Sequence, residues 1–170
     1  MKQAELAIEL LTNNHDKQSF SCGIHSLDNY LKEQATQYMR RSLATTYVLT
    51  LANTCTILGY FTLSATSINL QSLPEEISKK LPRHPTVPAI LIGRLAASQA
   101  YQGKGYGELL LIHALKESLQ LSKKIGLYAV VVDAENERVI SFYKRYEFIE
   151  FPECDHKLFL PMKTISKLLD

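Results

Sequence analysis

The segment Gln102-Gly103-Lys104-Gly105-Tyr106-Gly107 lies between a strand-like run, Ile90 to Ala96, and a long apolar helix, Glu108 to Leu121. Glycines at alternate positions leave a backbone with almost no Cβ atoms, so several N–H groups can turn inward as an anion-binding nest. The helix that follows adds unpaired N–H groups and the positive end of its dipole. That combination is a seat for a phosphate or pyrophosphate. A tight strand-to-helix turn without a ligand uses the same residues, and at this point both readings stand. Spacing narrows the ligand. A P-loop requires Gly-Lys-Ser/Thr so that a hydroxyl can hold magnesium, but Lys104 is followed by Gly105. A dinucleotide fold requires G-x-G-x-x-G and an acidic residue closing the next strand. Here the spacing is G-x-G-x-G, and Asp133 lies too far along.

Other groups are weaker signals. Cys22 and His25 have metal-ligand spacing, but no second Cys/His pair accompanies them, so no metal site is expected. No G-x-S-x-G elbow is present, which leaves a serine hydrolase without an anchor. Tyr143, taken alone, reads as a core tyrosine satisfied by one hydrogen bond. Asn136 precedes an amphipathic helix and suits its N-cap. His113 stands four residues before Glu117 and reads as half of a surface pair. Cys22, Cys55 and Cys154 are isolated and odd in number, which points to a reducing compartment.

Charge is distributed unevenly. The net charge is only +2. Between Glu76 and Glu108 there is no acidic residue, yet Lys79, Lys80, Arg83, Arg94 and Lys104 fall there. Arg40 and Arg41 form a second basic point, whereas Asp133 to Asp155 is mainly acidic. The basic stretch is either a solvated face or the footprint of a polyanion. Arg94 is either a structural ion-pair partner or a phosphate contact.

The elements that must position these groups follow from periodicity. The chain has 170 residues, 46% apolar and 21% charged, as expected of a single domain, 1–170, with a substantial core. No run approaches the roughly 18 apolar residues of a membrane span. Met1-Lys2-Gln3-Ala4-Glu5 lacks a signal peptide's apolar core, so a cytoplasmic location is expected. Leu6 to Leu11 reads as a short strand. Ser26 is placed to cap a helix from Leu27 to about Arg40, with Leu27, Tyr30, Leu31, Ala35 and Tyr38 at helical spacing. Residues 42–74 carry no charged side chain. Thr45 to Leu51 and Thr56 to Ser67 read as strands separated by a turn at Asn53. A short helix over Pro74 to Leu81 and a core strand over Val87 to Ala97 follow. Glu108 to Lys124 is a helix ended by Gly126 as its C-cap. Tyr128 to Val132 is a strand, Asn136 to Tyr146 a helix, and Leu158 to Pro161 a last strand. The order implies an α/β or α+β fold, a central mixed sheet with helices on both faces.

Gln102-x-x-Gly105-x-Gly107 after a strand and before a helix resembles the R/Q-x-x-G-x-G/A motif of the GCN5-related N-acetyltransferases (GNATs). Asn136 with Phe142-Tyr143 resembles that family's later helix. A narrower resemblance runs through Phe20-Ser21-Cys22-Gly23, Leu27-Asp28-Asn29-Tyr30-Leu31, Ala35, Tyr60-Phe61-Thr62-Leu63, Val87-Pro88 and Gly93-Arg94-Leu95-Ala96, and is to the GNAT toxins of bacterial toxin–antitoxin pairs. One departure stands out. The family usually has Phe-Tyr-x-x-x-Gly-Phe, and here Glu147 replaces the glycine before Phe148. A non-glycine residue in the left-handed conformation costs roughly 1 kcal/mol, unless the helix ends differently.

The resemblance implies acetyl-coenzyme A (acetyl-CoA) as donor, with its pyrophosphate on Gln102, Gly103, Lys104, Gly105, Tyr106 and Gly107. It also implies thioester polarisation by backbone N–H groups near Leu95 and Ala96, and a pantetheine arm along Asn136 and Phe142. For the toxins it implies aminoacyl-tRNA as acceptor, acetylated on its free α-amino group so that translation stops, and a ribbon–helix–helix antitoxin as partner. A second copy of the chain is also counted among the expected partners. An α-amino group has a pKa near 8, so about a tenth is neutral at pH 7 and a dedicated base is optional. Tyr143, on the helix that the resemblance sets near the sulfur, is the candidate general acid for the departing thiolate. Arg40, Arg41, Lys79, Lys80, Arg83 and Arg94 are the candidate contacts to tRNA phosphates. The alternatives are a GNAT acting on a small-molecule or protein amine, and a non-catalytic CoA-binding module.

Overall fold

The computed structural model describes residues 5–170. Residues 1–4, on which the reading of the N-terminus partly rests, lie outside the described residues. The strands are β1 (Leu6–Leu10), β2 (Thr45–Leu51), β3 (Ile57–Asn69), β4 (Thr86–Ala97), β5 (Ala129–Asp133), β6 (Ile149–Glu150) and β7 (Lys157–Pro161). They form one seven-stranded mixed sheet in the order β1-β2-β3-β4-β5-β7-β6, which is the mixed α/β architecture the element order implied. β4 and β5 are parallel, and the pairs β1–β2, β2–β3, β5–β7 and β6–β7 are antiparallel. The chain divides into two compact units, one of residues through Ser64 with Gly93–Ala114, the other of Ala65–Ile92 with Leu115–Asp170.

In the first unit, the uncharged segment forms β2 and the start of β3. Asn53, at φ 66°, makes the left-handed turn between them, as its short polar side chain allows. The next helical segment differs from expectation. It is α1 (His25–Asn29), a π-helical turn (Tyr30–Gln34) and α2 (Ala35–Arg40). Ser26 is not its cap. Ile24 occupies that position, and Ser26 lies inside the first turn. Asp28 is the reason: its carboxylate reaches back to accept the Cys22 N–H at 2.8 Å, tying the entry loop to the helix. Leu27, Tyr30, Leu31 and Ala35 are buried with Leu11, Phe20, Val48, Ile57, Tyr60 and Ala96. The π turn is closed by the Ala35 N–H on the Tyr30 carbonyl. Its extra residue sets both Tyr30 and Leu31 into that core.

In the second unit, Ile68, Leu73, Ala89, Ala129, Val131, Phe151 and Phe159 form a separate cluster, flanked by Leu70, Ile77, Leu81 and Val87. The helices are α3 (Glu75–Ser78), the later part of α4 (Tyr106–Ser122), α5 (Glu137–Lys144) and α6 (Met162–Leu168). Gly126 does not cap α4. The helix ends at Ser122, whose hydroxyl donates to the Leu119 carbonyl at 2.6 Å, and Gly126 is not left-handed. The two-residue β6 and α6 had no counterpart in the expected elements. Among the described residues, no helix is long and apolar enough to cross a membrane.

Candidate active site

The candidate donor-binding residues of the first unit lie at the end of β4 and the start of α4. Parallel pairing of β4 with β5 runs from Ala89↔Ala129 to Ile92↔Val132 and stops there, while β4 itself continues through Gly93-Arg94-Leu95-Ala96-Ala97. Ala96 is buried and Leu95 half-buried. Gly59 fixes the spacing behind them. A Cβ there would stand 2.7 Å from Leu110 Cδ1 and 2.9 Å from the Ala96 carbonyl oxygen. Only glycine lets β3, β4 and α4 approach this closely. Gly59 was not singled out in the sequence, because an isolated glycine in a strand signals close packing without naming the neighbour.

Beyond β4 the Ser98 N–H is held by the Leu58 carbonyl at 2.8 Å, and the Gln99 N–H by the Ser21 carbonyl at 2.7 Å. The chain then turns through Gln99–Tyr101 into Gln102. Gly103 and Gly105 are left-handed, at φ 84° and 76°. The Gly105 carbonyl accepts the Leu109 N–H at 3.1 Å, so α4 begins at Tyr106, two residues earlier than expected. Cβ atoms added at Gly103, Gly105 and Gly107 would meet nothing within 4 Å. The three glycines are therefore not required by packing. Two are required by backbone conformation, and all three leave open space in front of helix N–H groups that have no intrahelical acceptor. A pyrophosphate fits such a cradle. Lys104 is exposed, with Nζ 5.4 Å from the centre of the Tyr101 ring.

Arg94 does not form the ion pair considered as one of its roles. Its guanidinium carbon lies 3.6 Å from the centre of the Tyr30 ring, a cation–π stack. Among the described residues no carboxylate pairs with it. The Tyr30 ring lies nearly parallel to Tyr60, at 16° and 6.4 Å between centres. Burial raises the pKa of both phenols, partly offset by the charge of Arg94. The Tyr60 hydroxyl donates to the Leu27 carbonyl at 2.6 Å. Those of Tyr30 and Thr46 are buried with no hydrogen-bond partner among the described residues. Thr46 lies near enough to affect the Tyr30 phenol, but no hydrogen bond joins the two hydroxyls. Cys22 is likewise a buried, protonated thiol, its pKa pushed up to about 11 by desolvation and by a hydrogen bond to Asp28. Arg40 and Arg41, at the end of α2, are exposed.

In the second unit, α5 carries the remaining candidate residues. Asn136 is its N-cap, the side-chain oxygen accepting the Val139 N–H at 3.1 Å, and the amide N–H groups remain for another partner. Phe142 is half-buried. Tyr143 is 3% exposed. Its ring packs on Phe142 and Phe148, at 5.3 and 5.2 Å between centres. Burial, then the negative charge of Asp133, hold its phenol well above the ordinary tyrosine range. It keeps its proton at neutral pH, and a phenol so raised hands it to a less basic thiolate only with help from geometry or hydrogen bonding. A thiol with a pKa near 8.5 takes that proton only as negative charge develops on sulfur.

The helix exit explains Glu147. α5 stops at Lys144, two residues before the expected Tyr146, and Glu147 is left-handed at φ 70°. The Glu147 N–H is held by the Lys144 carbonyl at 3.1 Å and the Phe148 N–H by the Tyr143 carbonyl at 3.4 Å. That is the bonding of a Schellman motif, and the contact between the Phe148 and Tyr143 rings completes it. The glycine geometry survives without the glycine. Lys79, Lys80 and Arg83 are exposed at and beyond α3, and none is paired with a carboxylate among the described residues.

The chain belongs to the acetyltransferase (GNAT) family, whose model matches residues 28–148. Enzymes of this family take the acetyl group from acetyl-CoA. The chain is 31% identical to a probable toxin TacT from Sinorhizobium fredii, over 92% of this chain and 91% of the relative. It is 30% identical to a tRNA-acetylating toxin from Mycobacterium tuberculosis, over 94% and 93%. Among solved structures it is similar to AtaT complexed with acetyl-methionyl-tRNAfMet, with a TM-score of 0.90 and 32% identity over 98% of this chain and 100% of that one. It is also similar to a Tyr-to-Phe mutant of AtaT bound to the C-terminus of the antitoxin AtaR and acetyl-CoA, with a TM-score of 0.81 and 29% identity over 96% of this chain and 97% of that one.

Proposed function

We propose that this protein is a toxin that transfers acetyl from acetyl-CoA to the α-amino group of aminoacyl-tRNA and so blocks translation. The likeness to tRNA-acetylating toxins along nearly the whole chain carries the choice of acceptor. The geometry that carries the transfer is the cradle at Gly103, Gly105 and Gly107, open where side chains would stand. In this reading the backbone of Gln102 to Gly107 binds the pyrophosphate. N–H groups at Leu95 and Ala96 polarise the thioester carbonyl, and Asn136 and Phe142 line the pantetheine. Tyr143 protonates the leaving thiolate. The amine needs no dedicated base, because a usable fraction is already neutral. Arg40, Arg41, Lys79, Lys80 and Arg83 hold tRNA phosphates. Arg94 is carried as a sixth contact, with Tyr30 fixing its plane. The protein acts as one domain in the cytoplasm, and its partners are an antitoxin of the ribbon–helix–helix class and a second copy of itself.

The acceptor is tested by salt. Each neutralised phosphate releases counterions, so kcat/KM for aminoacyl-tRNA falls steeply with ionic strength. Replacing Lys79, Lys80 and Arg83 by Ala flattens that slope and leaves acetyl-CoA binding intact. A flat salt response in the unmodified protein, with ready acetylation of a polyamine or peptide, replaces this acceptor by a small or protein amine.

A further inference from the structure

The second unit carries a polar groove that the transfer chemistry does not use. It is lined by Asn69, Leu70, Gln71, Arg83, His84 and Pro85 and has a volume of about 480 Å³, within the range of pockets that hold small organic ligands. Its shape follows from the chain's course. β3 ends at Asn69 and turns through Leu70–Ser72. The Leu70 N–H is tied to the Pro85 carbonyl at 3.1 Å, just before β4 begins. Leu70, Leu73, Ile77 and Leu81 pack on the apolar cluster beneath. That floor is fixed, and the polar side chains of the lining are exposed above it.

The lining has an unusual inventory. It contains no carboxylate. The side-chain amides of Asn69 and Gln71 make no hydrogen bond among the described residues, and Arg83 has no ionic partner there. Each amide offers two donors and an acceptor. His84 Nδ1 lies 2.9 Å from the Thr86 carbonyl. The same nitrogen lies 3.5 Å from the Thr86 N. Leu70 and Pro85 add flat apolar surface. Paired amide groups match the edge of an unpaired base, an arginine matches a phosphate, and an apolar wall takes the face of the ring. Lys79 and Lys80, exposed just before this segment, extend the positive charge.

We propose that this groove binds one unpaired nucleotide of the RNA acceptor and sets which tRNAs are acetylated. Asn69 and Gln71 read the base edge and Arg83 holds the adjoining phosphate. The inference rests on the aminoacyl-tRNA reading above. The test uses the full chain and two readouts. In the first, kcat/KM is measured on a panel of separately charged tRNAs. Asn69→Ala with Gln71→Ala compresses the spread between best and worst tRNA about tenfold, the scale of one lost bidentate base contact. Arg83→Ala lowers the whole panel uniformly and reduces the salt slope by about one. The shape-conserving pair Asn69→Asp with Gln71→Glu removes the amide donors from the base edge and abolishes the preference. In the second readout, nucleoside 5′-monophosphates are titrated without acetyl-CoA while the Asn69 and Gln71 side-chain amides are followed by nuclear magnetic resonance. One base shifts them more than the other three. An unchanged tRNA ranking in folded variants that still bind acetyl-CoA overturns the proposal, as does the absence of any base-dependent shift. Failure of the unmodified protein to acetylate any charged tRNA overturns the acceptor reading instead, and the nucleotide titration then decides the groove by itself.

Discussion

Glu147→Gly separates the architecture of the Tyr143 helix from its chemistry. Glu147 closes a Schellman motif at φ 70°, where a side chain costs about 1–2 kcal/mol that glycine does not incur. Glycine in turn makes the unfolded chain more flexible, which offsets about 0.5–1 kcal/mol. The Glu147 side chain is exposed and has no ionic partner among the described residues, so little else is lost. The net expectation, at the middle of these ranges, is a gain of about 0.75 kcal/mol. For a chain of this size that is a rise in Tm of about 1.5–3 °C. Tyr143 stays clamped, because the Phe148 ring and the Tyr143 carbonyl still meet. Calorimetry reads the Tm, and thiol release from acetyl-CoA in the presence of acceptor reads turnover. A lower Tm would refute the strain argument. A higher Tm with turnover reduced tenfold or more would show that the strained exit itself tunes the tyrosine.

Three further perturbations follow from the same geometry. Gly107→Ala meets no neighbouring atom and improves helix propensity, so stability rises by roughly 0.5 kcal/mol while calorimetric affinity for acetyl-CoA falls at least tenfold; equal affinity would reduce the loop to a turn. Gly59→Ala forces a Cβ against the Ala96 carbonyl and Leu110, so denaturant unfolding should register a loss of about 1–3 kcal/mol, and an unchanged midpoint would mean that α4 can simply shift. Tyr143→Phe keeps the packed ring and removes the proton, so turnover drops on the order of a hundredfold with acetyl-CoA affinity nearly unchanged, and wild-type turnover would leave water as the acid. The same variant has a pH signature. The Tyr143 phenol is raised in the folded state, so its contribution is fully present below the unfolded pKa near 10 and is lost as pH rises above that. Tyr143→Phe therefore flattens part of the alkaline decline in Tm above pH 10.

The glycine loop, the strand before it, the N-cap at Asn136 and the mixed sheet were legible in the sequence because each rests on local chemistry. Alternating glycines, period-two apolar runs and an Asn before an amphipathic helix act through neighbours a few residues away. What was not legible depends on distant partners. Ser26 looked like a cap until Asp28 was seen to reach Cys22. The π turn at Tyr30–Gln34 has no local signal and is stabilised by the core it faces. Gly126 looked like a stop, but α4 ends at Ser122 and Gly126 is not left-handed. Arg94 was read through charge, and its partner is an aromatic face that helical spacing alone does not aim. The Asn69–Gln71–Arg83–His84 groove brings together the two ends of the segment that holds α3, so no spacing rule announces it.

The most direct test of the central claim is chemical. The protein is incubated with acetyl-CoA carrying a labelled acetyl group and a pool of charged tRNA, the tRNA is digested to its aminoacyl termini, and those termini are analysed by mass. The account predicts label on the α-amino nitrogen of aminoacyl-adenosine, appearing in step with free CoA thiol and reduced on the order of a hundredfold by Tyr143→Phe. Release of thiol with no acetylated aminoacyl terminus anywhere in the pool would contradict it.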